Sequence, residues 1–228
     1  MAATGQQGAA DLAAKRHAMV ERQLRARGIA DRRLLGAFEL IPREDFVRRR
    51  DRRRAYADEA LSLRGGQTIS QPYMVAALIE ALELRGPERV LEVGTGSGYS
   101  TALLALLAAE VISIERIGEL ADSARARLAA AGVANAEVIE ADGSLGWPAG
   151  APYDAIAIHA RVPGEPRSLL GQLRPGGRLI APIATGLDET LTIFRRLDDD
   201  AGPQIQREEL SRCRFVPLIG AEGYPEEG

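Results

Sequence analysis

The sequence has one cysteine, Cys213, in 228 residues, so it can form no internal disulfide and no cysteine-based zinc site. No metal site of any kind is expected. The sequence lacks the run of roughly 20 apolar residues that a spanning helix needs. Its opening, MAATGQQGAADLAAKRHAM, lacks the unbroken apolar stretch of a signal peptide. Charge of one sign is not in excess either. Its 29 Lys and Arg stand against 32 Asp and Glu, a net charge of −3, which gives no global pull toward nucleic acid or acidic membranes. No G-x-x-x-x-G-K-[ST] occurs, which excludes a P-loop. A cytoplasmic protein with neither membrane nor nucleic acid as partner is the expectation. Its 46% hydrophobic and 27% charged residues are ordinary for a soluble globular chain. The length suits one α/β domain with additional structure at its ends.

What is present falls into two rhythms. Residues 1–10 are small and polar and are expected to be disordered. Leu12, Met19, Val20 and Leu24 mark an amphipathic helix that Gly28 ends. Asp31 caps a second helix to Leu40, with Leu34, Leu35 and Phe38 on one face. Residues 67–73 read as a loop feeding a helix from Pro72 to about Leu84. From Arg89 the pattern becomes strand–helix alternation: strands at RVLEV, VISIE, AEVIEAD, YDAIAIH and GRLIAPI, with helices between. This predicts an α/β fold with a doubly wound, mostly parallel sheet covered on both faces. ETLTIFRRL and the segment around RCRFVPLIG are expected to close the sheet as an antiparallel pair. The divisions are 11–85 (amino-terminal helices and loop), 86–186 (core) and 187–228 (closing strands), within a single domain from residue 11.

The chemistry concentrates after the first strand of the core. Glu92 precedes the loop Gly94-Thr95-Gly96-Ser97-Gly98, where glycines allow a tight turn and close approach of a ligand. Glu115 ends the next strand, about 20 residues on, where a carboxylate accepts hydrogen bonds from ribose hydroxyls. These features imply an adenosine-containing cofactor. Tyr99 occupies the position where a dinucleotide fingerprint wants a small residue, and a pyrophosphate disfavours the adjacent acid Glu92. S-adenosylmethionine carries a sulfonium and an ammonium instead, so Glu92 favours it over NAD. Asp142-Gly143, after the third strand, suits the adenine end: the carboxylate accepts from the exocyclic amine and the glycine leaves room for the ring.

The string TISQPYMVA (68–76) resembles the signature of protein-L-isoaspartate O-methyltransferases, which are class I S-adenosylmethionine-dependent enzymes. MVERQLRARGI, IPREDFV, AYADEAL, RVLEVGTGSGYSTALLA, PYDAI, LRPGGRLIAPI and RFVPL resemble the same family in its usual order, from about residue 19 to 218. The resemblance implies a Rossmann-like fold and methyl transfer to the free carboxylate of isoaspartyl residues in damaged proteins and peptides, initiating repair through a succinimide. It implies that Ser70 orients the acceptor carboxylate, that Thr68 and Ile69 touch the cofactor, and that the protein is a monomer.

Each of these residues has a plainer reading. Ser70 could cap the helix that starts near Pro72. The arginines at 48–50 and 52–54 read as a solvated face, Cys213 as near-core filler and Trp147 as loop packing. His159 and Arg161 depart from the small residues that the family places there, and the expectation is that they line the pocket rim. Three other functions stay open. One is a peptide-tailoring aspartate O-methyltransferase. Another is a small-molecule O-methyltransferase using His159 as base. The third is a cofactor-binding module without turnover.

Overall fold

The computed structural model describes residues 2–199 and 202–226. Helix α1 (Ala2–Met19) continues through a π-helical turn (Val20–Leu24) and a 3-10 turn (Arg25–Arg27). It ends at Gly28, whose φ of 99° places it in the left-handed region that a glycine C′ residue favours. The helix begins at Ala2, within the segment 1–10 expected to be disordered; Met1 lies outside the described residues. The segment is rich in alanine and free of proline, and it extends a helix already anchored by Leu12, Met19 and Val20. Helix α2 (Arg32–Leu40) follows, capped by Asp31, whose side chain accepts from the amides of Arg33 and Leu34.

After 3-10 turns at Arg43–Asp45 and Arg49–Arg54, two short strands, β1 (Leu61–Ser62) and β2 (Thr68–Ile69), pair antiparallel. The stretch expected as a pure loop therefore contains a strand, and helix α3 (Pro72–Ala81) ends three residues before the expected Leu84. The alternating unit comprises β3 (Arg89–Val93), α4 (Tyr99–Leu107), β4 (Glu110–Glu115), α5 (Gly118–Ala130), β5 (Ala136–Glu140) and β6 (Tyr153–Ile158). A single-turn α6 (Arg167–Leu170) leads to β7 (Leu173–Thr185), β8 (Asp188–Asp199) and β9 (Gly202–Arg212).

The seven-stranded sheet has the order β5-β4-β3-β6-β7-β8-β9, parallel through β7 and antiparallel beyond it. The antiparallel closure matches expectation, but its last strand does not: β9 precedes RCRFVPLIG, which instead runs extended with isolated bridges at Pro217 and Ile219. Nearly every residue of β9 is exposed, so no apolar alternation marks it, whereas Pro217 removes a ladder donor from the more apolar segment.

Alternation along the strands divides the core in two. Val90, Val111 and Ile180 face a cluster shared with α1–α4, while Leu91, Ile112 and Leu179 face one shared with α6. Phe38 and Phe46 pack against the ring of Tyr99, joining the amino-terminal helices to α4.

Candidate active site

The sheet order reverses direction at β3, whose neighbours β4 and β6 are reached by connections that leave on opposite sides. Such a switch point opens a crevice at the carboxyl ends of the strands. The crevice here encloses about 830 Å³, open solvent at its mouth included. Its floor is the loop Gly94-Thr95-Gly96. One wall is Thr68, Ile69 and Ser70, the far end is Glu115, Arg116 and Gly143, and Val216–Ile219 form the roof.

Two glycines are required, for different reasons. Gly94 has a φ of 95°, in the left-handed region that strains other residues, while a Cβ on Gly143 would lie 2.6 Å from Cγ1 of Val93. The Glu115 carboxylate is nearly buried and accepts from the amides of Gly96 at 2.8 Å and Ile117 at 3.0 Å. A carboxylate offers about four acceptor sites, so two amides leave room for two hydroxyls of a ligand.

Three residues expected at the cofactor do not line this cavity. Glu92 is fully buried beneath the loop, where Oε2 accepts from Thr101 at 2.5 Å and Ser113 at 2.6 Å. Oε1 lies 3.1 Å from Nε2 of His159, an ion-pair distance without hydrogen-bond geometry. Any effect of Glu92 on a ligand therefore acts through space, as buried negative charge. Gly98 serves as the left-handed residue that begins α4. Asp142 lies in a neighbouring cleft with Ile219 and Tyr224, its oxygens accepting from the amides of Ser144 at 2.8 Å and Ala221 at 2.7 Å. Burial pushes the Asp142 carboxyl upward, but the amides of Ala221 and Ser144, the Ser144 hydroxyl and the Arg116 charge together hold it below the ordinary aspartate value.

Ser70 stands where β2 hands over to α3. It does not cap that helix: Gln71 holds the N-cap position and no side chain makes a capping bond. Its carbonyl accepts from Nη2 of Arg43 at 2.9 Å. A second groove, lined by Arg27, Tyr73, Met74, Arg214 and Phe215, meets the cofactor-sized cavity at Ser70. Thr68, Ser70 and Val216 belong to both.

His159 is inside the cavity rather than on its rim, with its side chain 9% exposed and Nε2 held 2.8 Å from Oγ of Ser100. Arg161 leaves the cavity and pairs with Glu189 at 3.1 Å, its guanidinium lying 4.7 Å over the Tyr224 ring. The Arg161 backbone receives Leu218 and donates to Val216, which fixes the roof. Most of the arginines at 48–54 are exposed, and Arg48, Arg52 and Arg54 pair with Asp51, Asp45 and Glu59. Cys213 packs partly buried against the core, and burial pushes its thiol up to about 12. Trp147 packs in its loop, its carbonyl accepting from Tyr153.

The residues missed by the sequence reading are Arg116 and the roof. RFVPL drew notice as a string but carried no chemical signal of its own. Among the described residues no helix is long and apolar enough to cross a membrane, and no group of three or more His, Cys, Asp or Glu stands together.

Residues 14–223 match the family model for protein-L-isoaspartate(D-aspartate) O-methyltransferase. Protein-L-isoaspartate O-methyltransferase 1 of Rhodopseudomonas palustris (strain HaA2) is 52% identical over 95% of this chain and 87% of its own length. Protein-L-isoaspartate O-methyltransferase 2 of Pelobacter propionicus is 49% identical over 92% of each chain. A solved protein-L-isoaspartate O-methyltransferase superposes with a TM-score of 0.80 at 28% identity, covering 91% of this chain and 66% of that longer one.

Proposed function

Because the chain belongs to the protein-L-isoaspartate(D-aspartate) O-methyltransferase family, we propose roles for its residues from the premise that it methylates isoaspartyl carboxylates. It is an S-adenosylmethionine-dependent protein carboxyl methyltransferase with the class I fold. When bound, S-adenosylmethionine supplies an electrophilic methyl group and a neutral thioether as leaving group.

The cavity suits this cofactor. Glu115 keeps acceptor capacity for ribose hydroxyls, Gly94 and Gly143 allow close approach, and the buried charge of Glu92 complements a cation. Thr95 and Gly96 present backbone on the floor, and Thr68 and Ile69 close the side wall. Asp142 acts from the adjoining cleft, holding the segment at Ala221 that borders the adenine end.

One observation carries the reading of the acceptor side: Ser70 lies on the wall common to the cavity and the groove, and its hydroxyl is not spent on capping. Ser70 donates its hydroxyl to one oxygen of the acceptor carboxylate and leaves the other aimed across the wall. A carboxylate is already ionised at neutral pH, so the site needs no general base and works by alignment and exclusion of water. His159 fits this, since its Nε2 is engaged by Ser100 and faces Glu92 rather than the groove. With Nε2 so engaged, a small-molecule enzyme using His159 as base would have to work through Nδ1.

The acceptors are damaged proteins and peptides rather than nucleic acid, in keeping with a net charge of −3. We read residues 11–228 as one methyltransferase domain, since the core joins Met19 and Phe38 to Val90 and Ile193. We also read the protein as a cytoplasmic monomer.

The test is methyl transfer from labelled S-adenosylmethionine to matched isoaspartyl and aspartyl peptides. Base-labile label on the isoaspartyl peptide alone is the expected result. Equal labelling of both would replace repair with a tailoring activity on ordinary aspartate. No label on either, with cofactor still bound, would move the acceptor elsewhere.

A further inference from the structure

Arg43 lies in the 3-10 turn Arg43–Asp45 and exposes none of its surface. It has no carboxylate partner among the described residues. Its Nε donates to the carbonyl of Ala55 at 2.8 Å and its Nη2 to that of Ser70 at 2.9 Å. The guanidinium also lies 5.1 Å from the centroid of the Tyr99 ring, which forms part of the cofactor cavity wall. Burial pushes the Arg43 pKa down to about 10, which leaves it charged at neutral pH.

A fully buried cation without a counter-ion is a costly thing to keep, and an apolar side chain of similar volume would serve packing better. What an apolar side chain could not do is hold two carbonyls in a fixed plane. The guanidinium fork does so, across segments 12 and 27 residues away in sequence. The Ser70 carbonyl has no other hydrogen bond among the described residues. Without Arg43 the peptide unit between Ser70 and Gln71 could turn, and the direction of the Ser70 side chain would turn with it.

We propose that Arg43 is a positioning residue for methyl transfer: a buried strut that fixes the Ser70 peptide unit and so aims the Ser70 hydroxyl at the wall shared by cofactor cavity and acceptor groove. The proposal rests on the reading of Ser70 as the residue that orients the acceptor.

The experiment compares Arg43→Met and Arg43→Lys with Ser70→Ala and the double variant, measuring kcat and KM for an isoaspartyl peptide, cofactor Kd by calorimetry, and Tm. A misaligned acceptor should cost Arg43→Met about 10- to 100-fold in kcat while cofactor Kd stays near wild type. Arg43→Lys, which retains the charge but lacks the rigid planar fork, should fall between and keeps the test alive if the Met variant does not fold. Because Arg43 acts through Ser70, its loss in the Ser70→Ala background should add little. Tyr56→Phe is the control: it removes the hydroxyl bond to Glu44 in the same cluster, leaves both Arg43 bonds, and should lower Tm without lowering kcat.

Wild-type kcat in both Arg43 variants would overturn the strut. So would an equal kcat loss in Tyr56→Phe at a similar fall in Tm, or an Arg43 loss that multiplies fully with Ser70→Ala. Normal turnover in Ser70→Ala alone would instead overturn the reading of the hydroxyl, so the two ideas fail separately.

Discussion

Ser70 and Glu115 both line the cavity and should fail in different ways when removed. Ser70→Ala leaves the glycine loop and Glu115 untouched, so kcat should fall by at least about 10-fold with cofactor Kd unchanged. Glu115→Ala removes the acceptor of the Gly96 and Ile117 amides as well as the one we propose for the ribose hydroxyls. A charge-assisted hydrogen bond contributes about 1.5–3 kcal/mol, so cofactor Kd should rise roughly tenfold or more; calorimetry that returns wild-type affinity refutes the placement. Gly143→Ala tests the cradle itself. The added Cβ would meet Cγ1 of Val93 at 2.6 Å, and that side chain is β-branched, 1% exposed and on a central strand, so it cannot swing away. Overpacking of this kind costs about 1–3 kcal/mol, and a thermal melt showing no loss would mean the strand relaxes more than its burial allows.

At the level of elements, α2 depends on its cap. Asp31 accepts from Arg33 at 2.7 Å and Leu34 at 3.3 Å, so Asp31→Ala should cost about 0.5–2 kcal/mol and lower Tm by a few degrees. The carboxyl-terminal segment depends on Asp142, whose carboxyl is held below its usual value of 3.8. A depressed acid contributes stability above its unfolded pKa and loses it as pH falls through the folded one. The Ala221 amide resonance should therefore titrate at a pH below 3.8, and an inflection at or above that value would refute the anchoring. Elements with a periodic apolar face, such as α2 and β3, were legible in the sequence, as was the Asp31 cap. β9 was not, because both its faces are wet and nothing alternates. Within the site, Gly94, Glu115 and Ser70 were legible from spacing or resemblance. The inward turn of Glu92 was not, since it depends on Thr101 and Ser113, hydroxyls on neighbouring elements that no spacing brings together.

Across the whole molecule, the amino-terminal helices and the sheet share one apolar cluster, and the charges are distributed in pairs rather than as a one-signed field. For the monomer we propose, light scattering should return the 24.5 kDa of a single chain; twice that mass would refute it. The strand β9 bears on the same question. It is the last strand of the sheet, with no further strand beside it among the described residues, and its nearly continuous exposure includes Arg207, Glu208, Glu209 and Arg212. An enzyme that receives extended segments of other proteins next to an open sheet edge is at risk of templating them as an extra strand. Charges of both signs along β9 make that edge a poor template, so a damaged chain entering the groove we propose for it can be modified and depart without nucleating an aggregate on the enzyme.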